Sequence, residues 1–358
     1  MIRDLQCYHI HYSLKFIYHE VFIMLTNNKN KIAKSALLIL AIAALAIGFL
    51  LINHKKQKSL ALKIGILQFI EHDCLDEARE GFVARLAELG YKDGENVEID
   101  FKNASGDQSI CNQMATKFAN DKKNLILGIA TPAAQALANA TKSIPILFTA
   151  VTAPDKNGLV DSNEKPGGNI TGTSDSIPIE KQTNLINQIF PDAKNVGILY
   201  CSGEANSKIQ ADLAIAELEK SNMQGIAYTV SNSTEIAQVI DSMPNKKIDV
   251  IFVPTDNLIV ANMPLVSQTA IGLGIPIVCS ERNSVKNGAL AAYCISYYKL
   301  GERTADQAAK ILKCEARPES MPIESLSQSE IELTLNPNVA EKQGITIPEE
   351  LAKDAKRV

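Results

Sequence analysis

Lys63-Ile64-Gly65-Ile66-Leu67 and Asn195-Val196-Gly197-Ile198-Leu199 are two short apolar runs of one pattern, each headed by a polar residue and carrying glycine at its centre. The echo continues downstream in the same order. Leu125-Ile126-Leu127, followed by Thr131-Pro132, matches Val250-Ile251-Phe252, followed by Pro254-Thr255. Ile144-Pro145-Ile146 matches Ile275-Pro276-Ile277, and all three anchors recur after about 130 residues. A plan used twice predicts two similar lobes. Two lobes imply a crevice between them, which is where α/β sheets place their ligands.

The segments between the anchors support an α/β reading. Leu75, Ala78, Phe82, Val83, Leu86 and Leu89 fall on one face of a helix that Gly90 closes. Val97 to Phe101 alternates as a strand, Leu125 to Ile129 is an apolar strand, and Pro132 opens the helix that follows. The second half repeats the rhythm, with a single helix expected over 258–272. Strands and helices in regular succession predict two Rossmann-like, doubly wound lobes with parallel sheets. The boundaries expected are 62–172 for the first lobe, with a returning segment near 285–315. The second lobe is expected over 173–284, with a C-terminal segment near 316–358. Glu164 to Gly172, rich in Gly and Pro, reads as a loop and a crossing between lobes.

The 358-residue chain has 46% hydrophobic and 21% charged residues, which fits globular domains with an appendage. Its net charge of -4 gives a nucleic-acid partner no support. Lys29, Lys31 and Lys34 precede an almost unbroken apolar run over 35–52. That run is near the lower length limit for a membrane-spanning helix and predicts an N-terminal signal anchor, with a cleaved signal peptide as the alternative. Residues 1–34 then form an extension, either unstructured or upstream of a true start at Met24, and 53–61 form a basic linker. The seven cysteines include no Cys-x-x-Cys pair, so no zinc or redox motif is indicated. Cys201, Cys279 and Cys294 lie in or beside apolar strands and read as small buried hydrophobes.

The polar loops expected after strand ends carry the candidate chemistry. Gln68, Glu71 and His72 follow the first strand, and Thr149 to Thr152 follow the fourth. Ser202 to Ser207, Thr255 to Asn257 and Ser280 to Arg282 occupy equivalent places in the second half. Structural roles compete at each: Glu204 suits a helix N-terminus, Asp256 suits an N-cap, and Thr131 suits a cap before Pro132. No catalytic or cofactor motif emerges. His72 is the only His after the linker, and nucleophile elbows, His-Glu-x-x-His and glycine-rich phosphate loops are absent. Binding without turnover and without a cofactor is the reading that results.

From about Leu62 to Pro348 the chain resembles substrate-binding proteins of ABC transporters, in the group that includes binders of tryptophan and other aromatic amino acids. The resemblance rests on Lys63–Leu67 (KIGIL), Leu89–Tyr91 (LGY), Ala104–Ser109 (ASGDQS), Thr131–Ala134 (TPAA) and Phe148–Thr152 (FTAVT). It continues through Lys165–Gly172 (KPGGNITG), Leu199–Ser207 (LYCSGEANS), Pro254–Asn257 (PTDN) and Gly344–Pro348 (GITIP). It implies a type I periplasmic-binding fold, an extracytoplasmic location, a permease and an ATPase as partners, and an amino acid-like ligand clamped by hinge closure. Together with the loop positions it implies a carboxylate site around Thr131, Thr149, Thr152 and Ser207. Asp256 is the preferred ammonium partner, with Glu204 and Glu281 as alternates. Gln68, Glu71, Tyr200, Asn206 and Ser280 complete the expected lining. A membrane-tethered sensing domain and a cleft hydrolase are the alternative functions.

Overall fold

The computed structural model describes residues 62–358 and, before them, Leu40, Ala43 and Ala44, which are helical. The remainder of the run over 35–52, on which the signal-anchor reading falls, lies outside the described residues. Among the described residues no helix is long and apolar enough to cross a membrane.

Two sheets organise residues 62–358. The first contains β1 (Leu62–Gln68), β2 (Val97–Asn103), β3 (Leu125–Ile129), β4 (Ile146–Val151), β5 (Ile170–Ser174) and β11 (Glu324–Ser325). Their order is β11-β5-β4-β3-β1-β2, and every pairing is parallel. The second contains β6 (Asn195–Cys201), β7 (Gln224–Val230), β8 (Val250–Val253), β9 (Ile277–Cys279), β10 (Ala291–Cys294), β12 (Glu332–Leu335) and β13 (Lys356–Arg357). Its order is β13-β12-β10-β9-β8-β6-β7, with β10 and β12 antiparallel. These are the two Rossmann-like lobes that the repeat predicts. The echoed runs become β1 and β6, each paired on both sides.

The central glycine of each echo has the same physical reason. A Cβ on Gly65 would come within 2.8 Å of the Phe118 ring, and one on Gly197 within 3.1 Å of Ile248. Each glycine lets covering side chains settle directly onto the strand backbone. The helices are α1 (Asp73–Glu88), α2 (Gln108–Asn120), α3 (Thr131–Ala140), α4 (Ile179–Ile189), α5 (Ala205–Lys220) and α6 (Ile236–Asp241). They continue with α7 (Asn257–Ala261), α8 (Met263–Gly272), α9 (Arg282–Lys286), α10 (Tyr297–Leu312), α11 (Pro337–Gln343) and α12 (Glu349–Asp354). Phe82, Phe118 and Phe148 are fully buried in the first lobe and Phe252 in the second. Such burial is the main stabilising term, roughly 1.5–3 kcal/mol per large apolar side chain.

Two local expectations need correction. The segment expected to be a loop over 164–172 ends in β5, whose Ile170, Thr171 and Thr173 are buried. β-Branched side chains and parallel pairing with β4 outweigh the preceding Gly-Pro composition. The single helix expected over 258–272 is two helices, because Pro264 stands at the start of α8 and has no N–H to continue the first one. The chain then passes between the sheets after Ser174, after Cys294 and again between Ser325 and Glu332. Helix α10 packs in the first lobe's core.

Candidate functional site

The strand ends of both sheets meet at the cleft, and direct contacts cross it. His72 Nε2 lies 3.4 Å from Asn257 Oδ1, joining the start of α1 to the start of α7. Asn283 Nδ2 is 3.6 Å from Cys74 Sγ and 3.4 Å from Glu77 Oε1. Tyr297, the first residue of α10, donates its hydroxyl to Asp175 Oδ2 at 3.2 Å and approaches Glu281 Oε1 at 3.5 Å. The contacts of His72 with Asn257, of Asn283 with Cys74 and Glu77, and of Tyr297 with Glu281 require closely apposed lobes.

In the first lobe, Gln68 ends β1 and is fully buried; its Nε2 donates to the Ile70 carbonyl and to Asp76 Oδ1 at 2.9 Å each. Its Oε1 has no partner. Thr131 does not cap α3: it is already helical, the N-cap is Ala130, and no side chain caps that end. Thr149 accepts from Thr173 Oγ1 at 3.1 Å, which leaves its own hydroxyl proton free to point elsewhere. Thr152 donates to Asp175 Oδ1 at 2.7 Å. Glu71 is exposed. Ala130, Ala150 and Ala153 have φ of 77°, 56° and 47°. These left-handed, non-glycine conformations at the ends of β3 and β4 store local strain, a feature concentrated at ligand clamps.

In the second lobe, several candidates hold the scaffold. Asp256 is the N-cap of α7: Oδ1 accepts from Ile259 N at 2.8 Å and Oδ2 from Cys201 N at 2.6 Å. Both oxygens are therefore engaged by backbone, as its capping role requires. The Glu204 carboxylate sits at the same helix start, accepting from Asn257 N at 3.1 Å, Leu258 N at 3.0 Å and the Asn257 side-chain amide. Asn206 and Ser207 both donate to the Thr255 carbonyl, at 2.9 and 3.1 Å. Tyr200 is buried within the second lobe's core, and Ser280 leans on the Val253 carbonyl at 3.4 Å.

Glu281 differs from its neighbours. It is 3% exposed, its Oε1 has a long contact to Tyr297, its Oε2 has no hydrogen bond within normal length, and the Cys74 thiol lies against the carboxyl. Burial pushes its carboxyl from 4.5 to about 8. Burial, then the nearby Asp256, pushes Glu204 up to about 8, although the donors at α7 oppose the shift. Burial also raises Asp175 and Asp256 and lowers His72 to about 4, so the imidazole is neutral at pH 7. Among the described residues none of the four carboxyl groups has a salt-bridge partner. A buried, unpaired carboxylate is costly, so the cleft is chemically incomplete without a proton or a cation.

Asp175, Asn283 and Tyr297 are site residues that local sequence does not mark, whereas Asn257 lies in one of the polar loops that it does. Asp175 was reachable in principle, since it follows a strand end, but β5 itself was not recognised.

The family model described as ABC transporter substrate binding protein matches residues 63–358. The chain is 47% identical over 279 residues to a tyrosine-binding protein of Clostridioides difficile, covering 78% of this chain and 79% of that protein. It is similar to the ABC domain in complex with L-Trp from Streptococcus pneumoniae, with 39% identity and a TM-score of 0.79, covering 83% of this chain and 99% of that one. It is also similar to the ligand-free, open structure of a substrate-binding protein with adhesive properties from Clostridium difficile. There identity is 42% and the TM-score 0.63, again over 83% of this chain and 99% of the other. Members of this family are solute-binding proteins rather than enzymes. The chain therefore belongs to the ABC transporter substrate-binding protein family.

Proposed function

We propose that the protein is the extracytoplasmic solute-binding subunit of an ABC importer and that its cleft clamps an α-amino acid with an aromatic side chain. The observation that carries this reading is Glu281, buried between the lobes with an unpartnered oxygen and no cation to neutralise it. A ligand ammonium supplies that charge. Glu281 takes the ammonium role in preference to Asp256 and Glu204, whose oxygens already accept backbone N–H groups. Asp175, held by Thr152 and Tyr297, adds a second negative group nearby. The ligand carboxylate goes to the uncapped start of α3, where free N–H groups and the Thr131 and Thr149 hydroxyls favour an anion. Gln68, Tyr200 and Asn206 line the remainder.

The relatives support the amino-acid class, one by its name and one by its bound L-Trp. Hinge closure around the solute is supported by the higher structural similarity to the L-Trp complex than to the open, ligand-free relative, against the order of sequence identity. The apolar run over 35–52 would tether the subunit beside its permease and ATPase. Calorimetric titration with tyrosine, tryptophan and phenylalanine tests the reading. The chain contains no Trp, so bound tryptophan is also the only indole fluorophore. Binding of at least one of the three is expected, and Glu281→Gln should weaken it by about 10-fold or more, as loss of a hydrogen bond to a charged group implies. Absence of heat and of a melting shift with all three would reject the amino-acid class.

A further inference from the structure

We propose that His72, Cys74 and Glu281 form a divalent-metal site that takes a thiophilic ion such as Zn2+ and ties the two lobes together. Among the described residues one trio of His, Cys and Glu brings a ligand atom from each within 4.8 Å of the others. Two of its members come from the start of α1 and the third from the loop between β9 and α9, so an ion held there bridges the cleft. Zinc bonds of about 2.0–2.3 Å give tetrahedral edges of roughly 3.3–3.7 Å, so gathering the trio needs side-chain shifts of roughly 1 Å.

The groups around the trio orient it for this task. Asn257 donates its amide to Glu204, which turns its Oδ1 toward His72 Nε2. With Nε2–H donating to that oxygen, the neutral ring keeps its lone pair on Nδ1, and Nδ1 is buried without a partner. A carbonyl oxygen accepting from the nitrogen that does not bind the ion, and so fixing the tautomer, is the usual arrangement of metal-bound histidines. Glu281 Oε2 is likewise buried and unpartnered. Cys74 is 1% exposed; its sulfur has a long contact from the Asn283 amide and faces the Glu281 carboxyl. Burial holds the thiol protonated in the absence of metal, and binding would exchange that proton for the ion. Three different donor types leave a fourth position open, as in exchangeable rather than structural sites. Glu281 is also the group given above to the solute's ammonium, so the ion and the solute compete for it; Cys74→Ala, which leaves Glu281 in place, separates the two readings.

The test is titration of the reduced full chain with Zn2+ by calorimetry and with Co2+ by absorption spectroscopy. The expected result is a saturable site with a thiolate-to-cobalt charge-transfer band and a raised melting temperature. Cys74→Ala should abolish the band. Cys74→Ala and Glu281→Gln should each weaken Zn2+ binding by more than about 10-fold, the smaller effect expected for an outer-shell group. Glu281→Gln is isosteric and Cys74→Ala deletes one buried sulfur, and circular dichroism verifies the folding of both. A band and affinity unchanged in Cys74→Ala would assign the ion to another cysteine and overturn the proposal. Failure of the wild-type chain to bind either metal would overturn it equally.

Discussion

Glu281 should act as a charge lock on closure. Burial in the described arrangement of the lobes raises its carboxyl from 4.5 to about 8, and the hinge opening proposed above would expose it to water and return it toward 4.5. The closed form therefore holds the proton more tightly, so closure of the empty protein is favoured at low pH and opposed as pH rises from 4.5 toward 8. Relative to the fully protonated limit, the penalty for closing over this one group is about 3 kcal/mol at pH 7 and about 1 kcal/mol at pH 5. That difference shifts the closed-to-open ratio on the order of 50-fold. Glu281→Gln removes the titration, raises the closed fraction at pH 7 and reduces solute affinity at the same time. Small-angle scattering of the solute-free protein at both pH values reads the closed fraction. The other buried carboxyls also titrate, so the difference between wild type and Glu281→Gln isolates this residue. An identical pH dependence in the two proteins would refute the lock.

The remaining predictions concern the scaffold. Helices α1 and α10 cross at Gly81 and Gly301, where added Cβ atoms would lie 2.1 Å from the Tyr298 carbonyl oxygen and 2.0 Å from that of Ala78. Gly301→Ala must push the helices apart and should cost about 1–3 kcal/mol, the usual range for overpacking, visible as a lower denaturation midpoint. Unchanged stability would show that the crossing is looser than described. Asp256→Ala removes the cap of α7 and leaves Cys201 N–H without its acceptor, so it should cost about 2–4 kcal/mol from the two losses together. Chemical denaturation measures this, and a loss of solute affinity without a loss of stability would return Asp256 to the binding role.

The lobes were legible because each is founded on an apolar strand with glycine at the same position, a pattern that survives without tertiary information. The strand β5 was masked by Gly and Pro just before it, and with it went Asp175. The cleft chemistry was only half legible. Strand-end position located Glu204, Asp256 and Glu281 together, but it set Asp256 first and Glu281 among the alternates. Their difference depends on distant backbone: Asp256 is occupied by Cys201 N, 55 residues earlier, while Glu281 meets no such donor. The His72–Asn257 contact spans 185 residues and exists only because the lobes approach each other. Local pattern carries no record of such a pairing.

The central claim is that an unpaired Glu281 receives the solute's ammonium. A crystal structure of the protein with a bound aromatic amino acid tests it most directly. The ammonium nitrogen should lie within hydrogen-bonding distance of Glu281, with the carboxylate at the start of α3. An ammonium placed on Asp256 or Glu204, with Glu281 still unpartnered, would contradict it.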